Sequence, residues 1–165
     1  MVIKRLVEQD AENYLALRLE ALQNSPESFG STYEEEKDHS VDKYKTRFQS
    51  QDSFTFGAFE DDILVGIITL VKEPRIKLRH RMSIVAMYVS PSKRGLGNGK
   101  ALMNEAIRTA KELEGVEQVY LTVVTTNKSA KNLYTSLGFE TYGIEKRALK
   151  LDNRYFDEDL MVLFL

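Results

Sequence analysis

The sequence predicts one domain, residues 1–165, of the α/β class in its α+β form: a mixed, mostly antiparallel central sheet with helices on both faces. Its 165 residues, 42% of them hydrophobic, are enough for one core but few for two. The predicted order is strand, two helices, three strands, helix, strand, helix and two strands. A central strand, helix and strand predict one parallel pair, whereas the predicted hairpins give antiparallel neighbours.

The first third of the chain predicts a strand and two helices. Residues 2–7 are apolar enough for a strand, and Asp10 then stands where a helix N-cap is expected. The polar segment 32–51 has apolar residues at helical spacing, so it predicts a second helix that breaks near Ser40. The apolar stripe of the first helix is predicted to consist of Ala11, Leu15, Leu19 and Leu22.

The middle of the chain predicts three successive strands. Residues 53–71 are typical of a hairpin whose acidic turn spans Glu60 to Asp62. The second strand of this hairpin is so continuously apolar that both its faces should be covered, which predicts a central position. A third strand is predicted from about Lys77 to Val89, where the following Ser-Pro ends the hydrogen-bond ladder.

The last part of the chain predicts two helices and three strands. A helix after the third strand ends near Gly115, and a strand follows at 116–124. A short helix then closes near Gly138, before strands at about 139–148 and 155–164. The inner stripe of the first of these helices is predicted to be Leu102, Ala106, Ile107, Ala110 and Leu113.

The composition excludes several classes of protein. A net charge of −2 argues against a protein that mainly binds nucleic acid, and the basic segment 75–81 is interpreted as an exposed hairpin rim. The absence of cysteine excludes disulfides and thiolate metal sites, and we expect no metal. No apolar run is long enough to cross a membrane, so we expect a soluble, cytoplasmic protein with no nucleic-acid or membrane partner.

The segment 92–103, SKRGLGNGKALM, places three glycines between a predicted strand and a predicted helix. The first N–H groups of a helix lack intrahelical partners, so a loop without side chains lets a phosphate approach them. Gly95, Gly97 and Gly99 supply such a loop, and Arg94 and Lys100 add positive charge. One glycine would suffice for a tight turn, so three favour an anion site.

Two common nucleotide-binding motifs do not fit this loop. A Walker loop requires a glycine where Arg94 stands and a hydroxyl where Ala101 stands. The dinucleotide fingerprint requires a third glycine where Lys100 stands. A nucleotide-binding regulatory domain is therefore the weaker alternative, and thermal protection by ATP or NAD would reveal it.

Two motifs together resemble the GNAT superfamily of acyl-CoA-dependent N-acetyltransferases. The family's pattern Arg-x-x-Gly-x-Gly, after a strand ending in Val-x-Pro, is matched by Arg94, Gly97 and Gly99 after Val89. The family's other motif resembles LTVVTTNKSAKNLYTSLGF, and its matching residues are Asn127, Ala130, Leu133, Tyr134, Gly138 and Phe139. The order of the predicted elements also agrees with the family, so the resemblance covers nearly the whole chain.

The resemblance implies a sheet whose parallel pair splays apart, between the strand ending at Val89 and the strand ending near Val124. Acetyl-CoA would be the co-substrate, with its pantetheine arm in the gap and its pyrophosphate on the glycine loop. The backbones of Met87 and Val89 and the side chain of Asn127 would contact the arm. The loop residues implied to bind the cofactor are Arg94, Gly95, Gly97, Asn98, Gly99 and Lys100.

An amine that attacks a thioester needs three things: a neutral nitrogen, a stabilised oxyanion and a proton for the departing thiolate. Asn127 and Tyr134 are two helical turns apart and should share a face, with the small Ala130 between them. This tyrosine is the family's usual general acid, so the resemblance implies that Tyr134 is catalytic. The structural alternative is a core aromatic whose hydroxyl has a partner.

The sequence does not assign the general base or the residues that contact the acceptor. Many members of the family have a glutamate on the strand before the loop, but none stands between His80 and Val89. The candidate bases are Glu34, Glu35, Glu73, Asp157, Glu158, His80 and a chain of water molecules. Phe29 and Glu34 are predicted to face the acceptor, with Tyr33 and Tyr155 as further candidates.

These features predict an N-acetyltransferase that moves the acetyl group from acetyl-CoA directly to a primary amine in a ternary complex. No cysteine is present to carry the group. The acceptor is a small-molecule amine or a protein N-terminal or lysine amine, and a homodimer is one option for the assembly. The alternative is a non-catalytic acyl-CoA-binding or sensing module.

Overall fold

The computed structural model describes all residues, 1–165, and contains seven strands and five α-helices. The strands are β1 (Val2–Arg5), β2 (Ser53–Glu60), β3 (Ile63–Lys72), β4 (Arg81–Val89), β5 (Gln118–Val124), β6 (Glu140–Leu151) and β7 (Arg154–Phe164). The helices are α1 (Ala11–Asn24), α2 (Tyr33–Glu36), α3 (Val41–Phe48), α4 (Asn98–Glu112) and α5 (Lys128–Ser136). The order of elements is the predicted one, except that the second predicted helix is divided into α2 and α3.

All seven strands form one sheet in the order β1-β2-β3-β4-β5-β7-β6. Only β4 and β5 are parallel, and every other neighbouring pair is antiparallel. The crossover between the parallel strands contains α4, because parallel strands cannot be joined by a tight turn. The predicted mixed, mostly antiparallel sheet is confirmed.

Helices cover both faces of the sheet, as predicted. On one face α4 and α5 pack on the strands through residues such as Leu102, Ala106 and Tyr134. On the other face α1 and α3 pack through residues such as Tyr14 and Phe48. Strands β2 and β3 lie between these layers and are buried along almost their whole length, which explains their continuous apolar sequence.

The first helix buries a different stripe from the one predicted. Its buried residues are Ala11, Tyr14, Leu17, Arg18, Ala21 and Leu22. Leu15 and Leu19 are only partly buried, because the helix is rotated so that Tyr14 and Arg18 face the sheet. Asp10 precedes the helix but does not cap it; its carboxylate accepts a hydrogen bond from the Val7 N–H instead.

The start of the third strand differs from the prediction, whereas the break in the second predicted helix agrees with it. The third strand begins at Arg81 rather than Lys77, because Ile76–Leu78 forms a 3-10 turn. The basic segment 75–81 is therefore mostly a turn between β3 and β4 and not an alternating strand. The predicted break near Ser40 is confirmed, since the Ser40 hydroxyl accepts a hydrogen bond from the Asp42 N–H at the start of α3.

The parallel pair separates soon after it starts. Strand β4 pairs with β5 only over Arg81–Ser83, opposite Gln118–Tyr120. The register of β4 against β3 then shifts, and Ala86 has a positive φ of 54°. An extra residue in one strand bends that strand, so β4 diverges while β5 stays paired with β7 as far as Val124.

No helix of the structure is both long enough and apolar enough to cross a membrane.

We expect Gly57→Ala to lower the free energy of unfolding by about 1–3 kcal/mol, because overpacking a core forces neighbours out of place. A Cβ at Gly57 would lie 2.5 Å from Leu64 Cδ1 and 2.6 Å from Leu6 Cδ2, both in buried side chains. Urea denaturation measures the change. Gly30→Ala is the matched control, because a Cβ there has no atom within 4 Å. Equal stability of the two variants would contradict the expected crowding at Gly57.

Candidate active site

The separation of β4 from β5 opens a cleft that consists of two connected cavities. The loop cavity has a volume of about 370 Å³ and is lined by the glycine loop, Met87–Val89 and the first turns of α5. The sheet cavity has a volume of about 390 Å³ and is lined by Ile84–Met87, Leu121–Val124 and residues of α1 to α3. The residues that line both are Ser28, Phe29, Met87 and Tyr134.

The glycine loop leaves open space in front of the N-terminus of α4. Gly95 and Gly97 have φ values of 74° and 88°, a region that residues with a Cβ rarely adopt. A Cβ at either position would meet no atom within 4 Å. Glycine is therefore required there by backbone conformation, and the empty space lies where the first N–H groups of α4 are free.

Two cations line the loop cavity beside these amides. Arg94 is held by a hydrogen bond of 2.9 Å from its Nε to the Val89 carbonyl, and its guanidinium lies 5.4 Å from the ring centre of Tyr88. Its terminal nitrogens have no protein acceptor, so they are free to bind an anion. Lys100 also lines the cavity and forms no ion pair. The predicted anion site thus has free amides and two cations in one place.

Asn98 does not line the cavity with its side chain, unlike the other predicted loop residues. It is 1% exposed, and its Nδ2 donates to Glu60 at 2.8 Å and to the Lys93 carbonyl at 3.0 Å. Hydrogen bonds from Lys93 and Asn98 lower the pKa of Glu60. The Asn98 side chain supports the loop from behind, and only its backbone N–H belongs to the start of α4.

The edge of β4 that faces β5 contributes Met87 and Val89 to the loop cavity. The ladder between these strands ends at Ser83, so the edge beyond it has no sheet partner. The Val89 carbonyl already accepts the Arg94 hydrogen bond, which leaves Met87 as the freer backbone position. An extended ligand with amide groups can pair with such an edge in the manner of an added strand.

Helix α5 lines the loop cavity along one face. Asn127, Ala130 and Tyr134 all line it, as their spacing predicts. Asn127 caps the helix, because its Oδ1 accepts a hydrogen bond from the Ala130 N–H at 3.2 Å. Its amide Nδ2 donates to no protein group and is the part of the side chain that a ligand can use.

Tyr134 lies where the two cavities meet. It is only 7% exposed and packs against Phe139, with ring centres 6.2 Å apart. Burial raises the pKa of Tyr134 to about 12, so its hydroxyl keeps its proton at neutral pH. The hydroxyl has no hydrogen-bond partner within the protein, and its oxygen is not among the fully buried unpaired atoms, so it is open to the cavity and free for a ligand.

Four polar residues from the helices line the sheet cavity, and the sequence did not single them out. They are Tyr14, Arg18, Glu36 and Arg47. Arg18 and Glu36 form a buried bidentate ion pair, with Nε and Nη2 of Arg18 at 3.0 and 2.9 Å from the two carboxylate oxygens. Although burial opposes it, this pair lowers the pKa of Glu36, which therefore stays ionised.

Glu158 is the only one of the candidate bases that lines either cavity. It lies on β7 opposite Glu145 of β6 and Val124 of β5. Burial and the charge of Glu145 raise the pKa of Glu158, against a smaller opposite effect of the Thr122 hydroxyl. A carboxyl group with a raised pKa is a better proton acceptor near neutral pH.

Only one of the residues that are predicted to face the acceptor lines the cleft. Phe29 lines both cavities, as predicted, and its ring lies 4.8 Å from the Arg18 guanidinium. Glu34 is exposed, pairs with Lys37 and lines neither cavity, so its contact with the acceptor stays a prediction without support from this geometry. Tyr33 and Tyr155 are also outside the two cavities.

The remaining candidate bases lie elsewhere on the protein. Glu35 caps α2 by accepting a hydrogen bond from the Thr32 N–H. Asp157 pairs with Lys146 at the surface, and Glu73 borders other grooves. His80 is outside the cleft.

The chain is similar in sequence to known acetyltransferases. The model of the acetyltransferase (GNAT) family matches residues 17–139. Spermidine N(1)-acetyltransferase of Vibrio cholerae serotype O1 is 26% identical over 137 residues, which are 83% of this chain and 73% of that protein.

Two solved structures share the fold. The acetyltransferase of the GNAT family from Streptococcus pneumoniae has a TM-score of 0.88, with 22% identity over 99% of each chain. The structure of yncA from Salmonella typhimurium with its cofactor acetyl-CoA has a TM-score of 0.82, with 17% identity over 100% of this chain and 94% of that chain. The family match spans most of the chain and includes the glycine loop and Tyr134, so this protein belongs to the GNAT family of acetyltransferases.

Proposed function

We propose that this acetyltransferase transfers an acetyl group from acetyl-CoA to a primary amine by direct attack in a ternary complex. The observation that carries this proposal is the position of Tyr134, whose unpartnered hydroxyl lies where the loop cavity meets the sheet cavity. The loop cavity would hold the cofactor and the sheet cavity the amine. The reacting atoms would then meet beside that hydroxyl.

The loop cavity has the chemistry that acetyl-CoA requires. Its pyrophosphate would bind the free amides at the start of α4, with Arg94 and Lys100 supplying positive charge. The backbone of Met87 and the Nδ2 of Asn127 would hold the pantetheine amides, and Ala130 is small enough to let the arm lie close to α5. When bound, acetyl-CoA supplies the activated thioester.

Tyr134 would act as general acid. Its raised pKa ensures that the hydroxyl carries a proton to give at neutral pH. Burial also raises the pKa of a thiol that leaves into the same junction, because it disfavours the thiolate charge, so the thiolate becomes a stronger proton acceptor. The proton would pass from the hydroxyl oxygen to the sulfur.

Glu158 would act as general base from the strand side of the sheet cavity. An amine at neutral pH is mostly an ammonium ion and must lose a proton before it can attack. The carboxylate of Glu158 would take that proton directly or through one water molecule. The non-catalytic alternative has no observation in its favour, because the cleft contains both a proton donor and a proton acceptor.

We expect Gly97→Ala to weaken acetyl-CoA binding by at least about tenfold, a loss of about 1.4 kcal/mol. The added Cβ would occupy the space in front of the α4 amides. Isothermal titration calorimetry measures the change in Kd. Gly115→Ala is the matched control, since Gly115 also has a positive φ of 79° and open space but lies outside the cleft. The same affinity in both variants would remove the loop as the anchor of the cofactor.

We expect Tyr134→Phe to lower kcat by about 100-fold while the Kd for acetyl-CoA stays within about twofold. The aromatic ring that packs on Phe139 is kept, and only the hydroxyl is lost. Steady-state release of free thiol measures kcat. Tyr33→Phe, outside both cavities, is the control. An unchanged rate at every pH would refute the role as general acid.

We expect Glu158→Gln to lower kcat/KM for the amine by about 100-fold or more. In the wild type, kcat/KM should fall as the pH drops through the raised pKa of Glu158, because protonation removes the base. This acidic limb should be absent from the variant. Asp157→Asn is the control, since that neighbouring carboxylate lies outside the cleft. An identical pH profile for wild type and Glu158→Gln would show that another group is the base.

A further inference from the structure

Two buried hydrogen-bond donors on the helix side of the sheet cavity have no acceptor in the protein. The ring of Tyr14 packs against the rings of Tyr44 and Phe48, whose centres are 5.0 and 5.3 Å away, and its hydroxyl is buried at the edge of the cavity. The Nη1 atom of Arg18 is also buried and unpaired. Nearly all buried polar groups in proteins have a partner, so two such atoms at one cavity wall call for a ligand or water.

The missing partner must be a hydrogen-bond acceptor. A guanidinium group has only donors, and Glu36 already takes the bonds from Nε and Nη2 of Arg18. The Tyr14 hydroxyl can donate to the same group. Burial raises the pKa of Tyr14, while the charges of Arg47 and Arg18 and the closeness of the Arg47 guanidinium to the hydroxyl act in the opposite direction, so this hydroxyl is neutral and carries a proton to donate.

The helix side of the cavity also has one positive charge in excess. Glu36 balances Arg18, but Arg47 of α3 lines the cavity and pairs with no carboxylate. Glu158 is the other acidic residue at this cavity, and it lies on the strand side. The helix side is therefore suited to an anion, whereas the strand side is suited to an amine.

We infer that the acceptor is a small amine that also carries a carboxylate, such as an amino acid. Its carboxylate binds on the helix side, between Arg47, Nη1 of Arg18 and the Tyr14 hydroxyl, and its amine points toward Glu158 and Tyr134. Both donors are buried and the Phe29 ring lies over the Arg18 guanidinium, so the inference includes a movement of this ring that admits the carboxylate. This inference rests on the proposed function and adds the class of its acceptor.

The inferred acceptor differs from a polyamine in a physical way. A second cationic centre at the helix side would face Arg47 without an opposing carboxylate, since Glu36 is already bound to Arg18. Like charges in a partly buried site repel each other. Spermidine should therefore be a poor acceptor for this protein, although the Vibrio cholerae relative is named for it.

The test uses pairs of acceptors that differ only in the carboxylate. The pairs are L-alanine with L-alaninamide and γ-aminobutyrate with its amide, and spermidine is the cationic comparator. In at least one of the two pairs, we expect kcat/KM to be at least about tenfold higher for the carboxylate than for its amide. A site built to bind a charged group discriminates against the analogue that lacks it. Peptides that begin with Ala-Asp and Ala-Asn distinguish recognition of a side-chain carboxylate from recognition of a free amino acid.

Two variants connect this preference to the helix side. In Arg47→Gln and in Tyr14→Phe, the ratio of carboxylate to amide should fall toward one, through KM rather than kcat. Lys45→Gln removes the same charge from α3 but lies outside the cavity, so it should keep the wild-type ratio. Tyr14→Phe should also unfold at the same or a higher urea concentration than the wild type, because it removes a buried hydroxyl without a partner.

The outcomes separate this inference from the proposed function. If amides or spermidine are acetylated as fast as the carboxylates, or if both variants keep the wild-type ratio, the carboxylate site is wrong while the acetyltransferase stands. If acetyl-CoA binds but no amine is acetylated, the proposed function fails. Calorimetry of L-alanine and L-alaninamide with the CoA-bound protein then tests the carboxylate site independently of catalysis. Tighter binding of L-alanine that is lost in Arg47→Gln supports the carboxylate site, and equal or absent binding of the two compounds overturns it.

Discussion

The early end of the hydrogen-bond ladder between β4 and β5 is the constraint on which the site depends. The two strands share a register only as far as Ser83 and Tyr120. Beyond that point each strand follows its other neighbour, and the shifted register near Ala86 bends β4 away. A continuous ladder would remove the space between these strands that both cavities occupy.

The helices α1 to α3 complete the cleft on one side, and the Arg18–Glu36 pair holds two of them in place. A buried ion pair is costly to form because both charges lose water. Here the cost is offset by two short hydrogen bonds and by the Phe29 ring over the guanidinium. The pair connects α2 to α1 at the wall of the sheet cavity.

The parts of the site that depend on local backbone geometry were predictable from the sequence. Three glycines before a helix indicate an anion site because few other residues tolerate φ near +80°, and both Gly95 and Gly97 have such values. The face shared by Asn127, Ala130 and Tyr134 follows from helical spacing alone. The mixed sheet likewise follows from which connections are short and which contain a helix.

The parts that depend on tertiary packing were not predictable. Three consecutive glutamates look equivalent in the sequence, yet Glu35 caps α2, Glu34 faces solvent and only Glu36 is buried against Arg18. The capping box of Thr32 and Glu35 was a signal that would have assigned Glu35. Arg18 stands in an apolar stripe, and nothing in its neighbours shows that its charge is buried.

The support of the glycine loop from behind has a consequence for how this protein can change. Asn98 and Lys93 connect the loop to Glu60, the last residue of β2, where the chain turns into β3 through Asp61 and Asp62. The hairpin tip is thus connected to the glycine loop although it borders neither cavity. If the loop binds the cofactor as proposed, a substitution in this remote turn would change cofactor affinity without altering any residue of the cleft.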